Sequence, residues 1–123
     1  MYRTLSALTC AAILSLPTPA LAMPVSEFLP KAEKLVNSGM GAMFSKHRKP
    51  VMAEMKKVTK GYRSDIEKAR AAGRSPSSCP PPKGKGNLNA KEFLAHLKSI
   101  PTAQRNMEVQ SAFHGYMKKK YPC

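Results

Sequence analysis

The sequence predicts an all-α fold, a small single-domain bundle of four or five helices with one disulfide. Three observations carry this expectation. Apolar residues recur at helical spacing along most of the chain, no alternating strand signal of useful length interrupts them, and two cysteines remain once an N-terminal leader is set aside.

Met1 to Ala22 reads as that leader, a cleavable secretory signal peptide. Arg3 supplies the positive n-region, Leu5 to Leu16 the apolar stretch, and Pro17 and Pro19 break it before Ala20-Leu21-Ala22 offers small residues for cleavage ahead of Met23. The apolar stretch is too short for a stable membrane span, and Ala7-Leu8-Thr9 is a poor lipoprotein signal before Cys10. The expected product is therefore soluble, without a transmembrane anchor, and periplasmic or secreted. Cleavage discards Cys10 and leaves Cys79 and Cys123, which in an oxidising compartment most simply form a bridge. It would close a loop of 45 residues, worth about 4 kcal/mol in the chain-entropy view before any native strain is subtracted.

The remaining 101 residues, 23–123, suffice for one modest core. The full chain carries a formal charge of +14, and loss of Arg3 leaves 20 basic against 7 acidic side chains, a net +13. Such a charge governs association more than fold. Export argues against nucleic acid as a partner and leaves an acidic protein, an anionic envelope polymer or a lipid surface; a solvated charged face with no specific partner is the plain alternative.

Along the chain, Ser26 offers an N-cap for a first helix carrying Phe28, Leu29, Ala32, Leu35 and Val36, with Asn37-Ser38-Gly39 as its stop and Pro30 tolerated in its first turn. A longer stripe of Phe44, His47, Val51, Met55, Val58, Tyr62, Ile66 and Ala69 advances by steps of three and four, a rhythm of about 3.67 residues per turn that a nearly straight helix keeps on one face. Pro50 sets a break near Lys46 to Lys49, so the second helix is expected from Pro50 to about Ala72. Gly73 to Asn87, with four prolines and three glycines, is a loop. Asn89 then caps a helix, with Glu92 at the capping-box position and Leu88 stapling onto Phe93. Phe93, Leu94, Leu97 and Ile100 form its apolar face until Pro101. A last helix, capped by Asn106 or entered through Thr102, presents Val109, Ala112, Phe113, Tyr116 and Met117, and Lys118 to Lys120 suit its C-terminal dipole.

Catalytic chemistry is sparse. Asp65 is the only aspartate, and Gly84-Lys85-Gly86 lacks the strand-to-helix context of a phosphate loop. Neither catalytic residues, nor a metal site, nor a cofactor is expected. Zinc would need Cys79, Cys123, His96 and His114 to converge without any close pair in sequence, and a Cys79 nucleophile served by His96 or His114 competes with bridging. His47 is read as a partly buried core residue, and Met40, Met43, Met52 and Met55 as core filling. Lys56, Lys57, Lys60 and Arg63, with Lys83 and Lys85 in the loop, are the candidate partner-binding cations; together they would speed encounter with an acidic partner.

From Cys79-Pro80-Pro81, through Phe93-Leu94-Ala95-His96-Leu97, Ile100-Pro101 and Arg105, to Tyr121-Pro122-Cys123, the chain resembles the Tai-type (resistance-associated protein) immunity family of exported inhibitors of type VI secretion peptidoglycan amidases. Gly61-Tyr62 followed by Asp65 is similar to that family's Gly-Tyr segment, although Val58-Thr59-Lys60 stands where members often place a cysteine. The resemblance covers about 45 residues. It implies an all-helical periplasmic protein, often a homodimer, that plugs the cleft of a papain-like peptidoglycan amidase effector, and it assigns no binding residue. The reading from another class is a general periplasmic helical chaperone or a binder of anionic envelope polymers.

The exported product should begin at Met23 and contain a Cys79 to Cys123 bridge. Intact mass and thiol labelling of non-reduced protein test both, since two free thiols would remove the bridge and retention of Cys10 would remove the processing scheme.

Overall fold

The computed structural model describes residues 22–123; the leader reading of Met1 to Ala22 falls almost wholly outside them. Four α-helices follow in order, α1 (Val25–Asn37), α2 (Arg48–Ala71), α3 (Ala90–Ser99) and α4 (Val109–Lys120), with short 3-10 turns at Gly39–Phe44 and Thr102–Gln104. Among the described residues there is no strand, only an isolated antiparallel bridge between Pro24 and Glu108. α1 packs chiefly on α3 and α2 on α4, while α4 also touches α1 and α3.

Most of the core is drawn from the stripes visible in the sequence. Phe28, Leu29 and Ala32 of α1, Val51, Val58, Tyr62 and Ile66 of α2, Phe93, Leu94 and Leu97 of α3, and Val109, Ala112, Phe113, Tyr116 and Met117 of α4 are all buried. Four rings, one from each helix, meet at its centre. Phe28 lies 6.4 Å from Phe93, Phe93 5.4 Å from Phe113, and Phe113 5.2 Å from Tyr62, the last two pairs edge to face. Such tilted geometries set the positive ring edge against the negative face of the neighbour.

The helix ends explain where local reading succeeded and where tertiary contacts took over. Asn89 caps α3 as expected, its side-chain oxygen accepting from the Lys91 and Glu92 backbone amides at 2.9 and 3.2 Å. Gly73, at φ +69, ends α2 with the Arg74 amide returning to the Ala69 carbonyl and the Gly73 amide to Arg70, a backbone turn that favours a residue without Cβ. Helix α2 begins at Arg48, so Pro50 falls in its first turn, where a missing amide proton costs nothing. Ser26 is not the cap of α1; Pro24 holds that position without a side-chain bond. The Val25 amide donates to the Met107 carbonyl and the Ser26 amide to Arg105, at 2.9 and 2.8 Å. Neither Asn106 nor Thr102 caps α4. Thr102 opens the separate 3-10 turn, and the Val109 amide at the start of α4 is satisfied by the Met23 carbonyl at 3.0 Å. Two helix starts thus serve each other through backbone pairing, for which no side-chain signal exists in the sequence.

Cys79 and Cys123 are bridged, with Cα atoms 4.8 Å apart. The thiols are therefore consumed, and the zinc set with His96 and His114 does not form. The methionine reading is corrected. Of the four, only Met55 packs against the core, whereas Met40, Met43 and Met52 are exposed, as is Phe44 at the head of the predicted stripe. The stripe breaks there because Gly39–Phe44 winds as its own turn ahead of α2.

Asn89→Ala should lower stability by about 1 kcal/mol through loss of the cap. Phe93→Ala should cost about 3 kcal/mol, because Phe93 joins the rings of α1 and α4. Chemical denaturation ranks the two, and equal small effects would contradict the placement of α3.

Candidate partner-binding surface

The loop between α2 and α3 is fixed to the bundle at several points. The Tyr62 hydroxyl shares a 2.6 Å hydrogen bond with that of fully buried Ser78, and the Cys79 amide donates to the Tyr121 carbonyl at 2.9 Å. Gly61 makes room for Gln110 where α2 crosses α4; a Cβ there would lie 2.5 Å from the Gln110 side-chain oxygen. Gln110 in turn donates to Asp65 at 3.1 Å. The same carboxylate meets His114 Nε2 at 3.0 Å, and His114 Nδ1 lies 2.9 Å from the Ser77 hydroxyl.

Ser77, His114 and Asp65 are the side-chain types of a hydrolytic triad. Hydrolysis also needs donors facing a developing oxyanion, and the nearby Cys79 amide is already spent on Tyr121. Asp65 is also 48 % exposed, and a carboxylate in water orients an imidazole weakly. What the relay visibly does is fasten the loop to α2 and α4. Among the described residues, no group of three or more His, Cys, Asp or Glu side chains converges on a metal-sized site, and no helix is long and apolar enough to cross a membrane.

The predicted cations occupy two neighbouring regions. Lys56, Lys57 and Lys60 are exposed on α2 and enter no ion pair among the described residues. Arg63 is half-buried. Its guanidinium donates to the Pro81 carbonyl at 3.1 Å and lies 6.0 Å from the Tyr62 ring centroid, so it serves as a loop anchor as well as a charge. That bond sets the start of the turn carrying exposed Lys83 and Lys85 against α2.

Sequence reasoning missed an apolar groove of about 220 Å³ between α1, the first half of α2 and the start of α3. Leu35, Val36, Met52, Met55 and Leu88 line it, with Phe93 among the residues at its base. Leu88, expected to staple onto Phe93, is 49 % exposed and forms a wall of this groove. The available signal was the crowding of methionines, which suits an adaptable surface as well as a core.

Tyr116 also lines the groove and belongs to a polar network. Its hydroxyl donates to Glu92 at 2.9 Å, and Lys120 Nζ reaches the same carboxylate oxygen at 2.6 Å. Glu92 thus ties α3 to α4 instead of closing a capping box. The hydrogen bonds from Lys120 and then Tyr116 hold its carboxyl below the usual range. Burial first, and the bond to Glu92 second, push the Tyr116 phenol up. His96 is pushed down, chiefly by burial and then by Lys119.

No protein family, characterised protein or solved structure matches the chain.

Glu92→Gln should destabilise the protein at neutral pH and lose its effect in acid. A carboxyl held down in the folded state contributes stability that is present above its unfolded value of about 4.3 and disappears as pH falls through the lower folded value. Denaturation midpoints of the two proteins should therefore converge on acidification, and a constant gap would show that the Glu92 charge is not involved.

Proposed function

We propose that the chain is a periplasmic immunity protein that binds and inhibits a type VI secretion peptidoglycan amidase. The observation that carries this reading is that several residues of the family resemblance form one connected framework around the loop. Cys79 and Cys123 close it, Tyr62 and Asp65 hold Ser78 and His114, and Gly61 admits Gln110. Arg105 makes a separate tie, donating to the Ile100 and Lys98 carbonyls at 2.9 and 3.0 Å and capping the C-terminal end of α3. A framework this constrained suits an inhibitor, because a surface ordered before encounter loses little entropy on binding.

In this reading the row of Lys56, Lys57 and Lys60 steers an acidic rim of the amidase, and Arg63 with the Lys83 to Lys85 turn extends the positive surface. The groove itself favours a second reading, a general helical chaperone that holds apolar client segments. The two differ in stoichiometry: an inhibitor takes one enzyme with saturable affinity, whereas a chaperone takes many unfolded chains.

Charge reversal at Lys57 and Lys60 should slow association with a cognate amidase by about tenfold at low salt and flatten its salt dependence, leaving the circular dichroism spectrum unchanged. Stopped-flow binding and a peptidoglycan hydrolysis assay measure this. Tight inhibition indifferent to the reversals would move the site elsewhere on the protein, and a co-purified amidase neither bound nor inhibited at micromolar protein would overturn the immunity reading.

A further inference from the structure

The turn between α1 and α2 is the most conspicuous apolar surface outside the groove. Met40, Met43 and Phe44 are 94, 72 and 92 % exposed. They project instead of lining a wall, because Gly39 at φ +54 directs the chain away from the end of α1 and none of the three enters the core. Three large apolar side chains within five consecutive residues cost free energy in water, and an apolar cluster of this kind marks a surface that is covered in use.

The charge around this tip narrows what covers it. From Lys34 to Ala53 there is no acidic residue, while Lys34, Lys46, Arg48 and Lys49 are all present. These four cations are exposed, and none enters an ion pair among the described residues. His47 sits among them, its imidazole disfavoured as a cation by burial first and then by Lys34, Lys46 and Lys31. An exposed apolar tip flanked in sequence by exposed cations does not match a single extended peptide, which would seek the concave groove instead. It matches an interface that is apolar at depth and anionic at its surface.

We propose that the Met40–Phe44 tip inserts into the interfacial layer of an anionic lipid bilayer, with Lys34, Lys46, Arg48 and Lys49 at the level of the headgroups. The two contributions are jointly required. Three apolar side chains alone give weak partitioning, and cations near an anionic surface add attraction that salt weakens. The contact is peripheral and reversible, and it leaves the Lys56 to Lys60 flank of α2 open to a protein partner. The proposal is independent of the immunity reading.

The chain contains no tryptophan, so Phe44→Trp introduces a reporter at the tip alone. With the oxidised, processed protein, vesicles of equal phosphatidylcholine and phosphatidylglycerol should shift this emission to the blue and allow quenching by brominated acyl chains, whereas pure phosphatidylcholine should do neither. In co-sedimentation with the mixed vesicles, Met43→Glu with Phe44→Glu should weaken binding about tenfold or more, as expected for loss of the apolar anchor and two added negative charges. The comparison is Lys68→Gln with Arg70→Gln, which changes net charge by the same amount in the last turn of α2, at the opposite end of that helix from Arg48, and should weaken binding less than about threefold. Circular dichroism checks the fold of each variant. Equal losses in the two variants would reduce the effect to unspecific charge attraction and overturn the proposal, as would unshifted tryptophan emission from the Phe44→Trp protein. Sedimentation of the free protein as a dimer that the tip variant dissociates, with vesicle affinity unchanged, would assign the tip to a second copy instead.

Discussion

Four aromatic rings contributed by four helices hold this bundle in register. Phe93 touches Phe28 and Phe113, and Phe113 touches Tyr62, so displacing either of the two central rings disturbs contacts belonging to three helices. A domain of about a hundred residues has little redundancy in its core with which to absorb such a loss. Tyr62 extends this dependence outward. Its ring belongs to the core, and its hydroxyl bonds Ser78 in the loop, so packing of the bundle and position of the bridged loop are set by one side chain.

Around that centre, polar contacts join elements whose own sequences would leave them separate. Asp65 gathers Gln110 and His114, Glu92 gathers Tyr116 and Lys120, and Arg105 closes the end of α3. Most of these groups are partly solvated, so each contributes modestly. Their value lies in register: the carboxylates join residues far apart in the chain, and the α2–α3 loop acquires a defined path without secondary structure of its own. A basic surface displayed on such a scaffold is ordered before any partner arrives.

What could be read from the residues follows the range of the interactions responsible. The helical stripes, the Asn89 cap, the stop at Gly73 and the pairing of Cys79 with Cys123 are local or compositional signals, and each appears in the structure. The cap of α1 was misassigned to Ser26 because backbone carbonyls near the other end of the chain, those of Arg105 and Met107, satisfy the amides a side chain would otherwise serve. Glu92 followed the capping-box pattern yet is drawn to Tyr116 and Lys120 on α4, since charge-assisted bonds to them outweigh one exposed amide. For the candidate surface, the exposed cations of α2 were legible as residues off the apolar stripe. The groove was not, because methionine and leucine at helical spacing look the same whether a neighbouring helix covers them or leaves them open.

The backbone pairing of Met23 to Ser26 with Arg105 to Val109 has a kinetic consequence. Helices α3 and α4 adjoin in sequence and can meet by closing a short loop, whereas this pairing closes a loop spanning nearly the whole domain. Loop-closure entropy places such a contact late in assembly. The start of α1 therefore completes the fold rather than nucleating it, and a chain emerging N-terminus first would carry that segment unpaired until its last helix arrived.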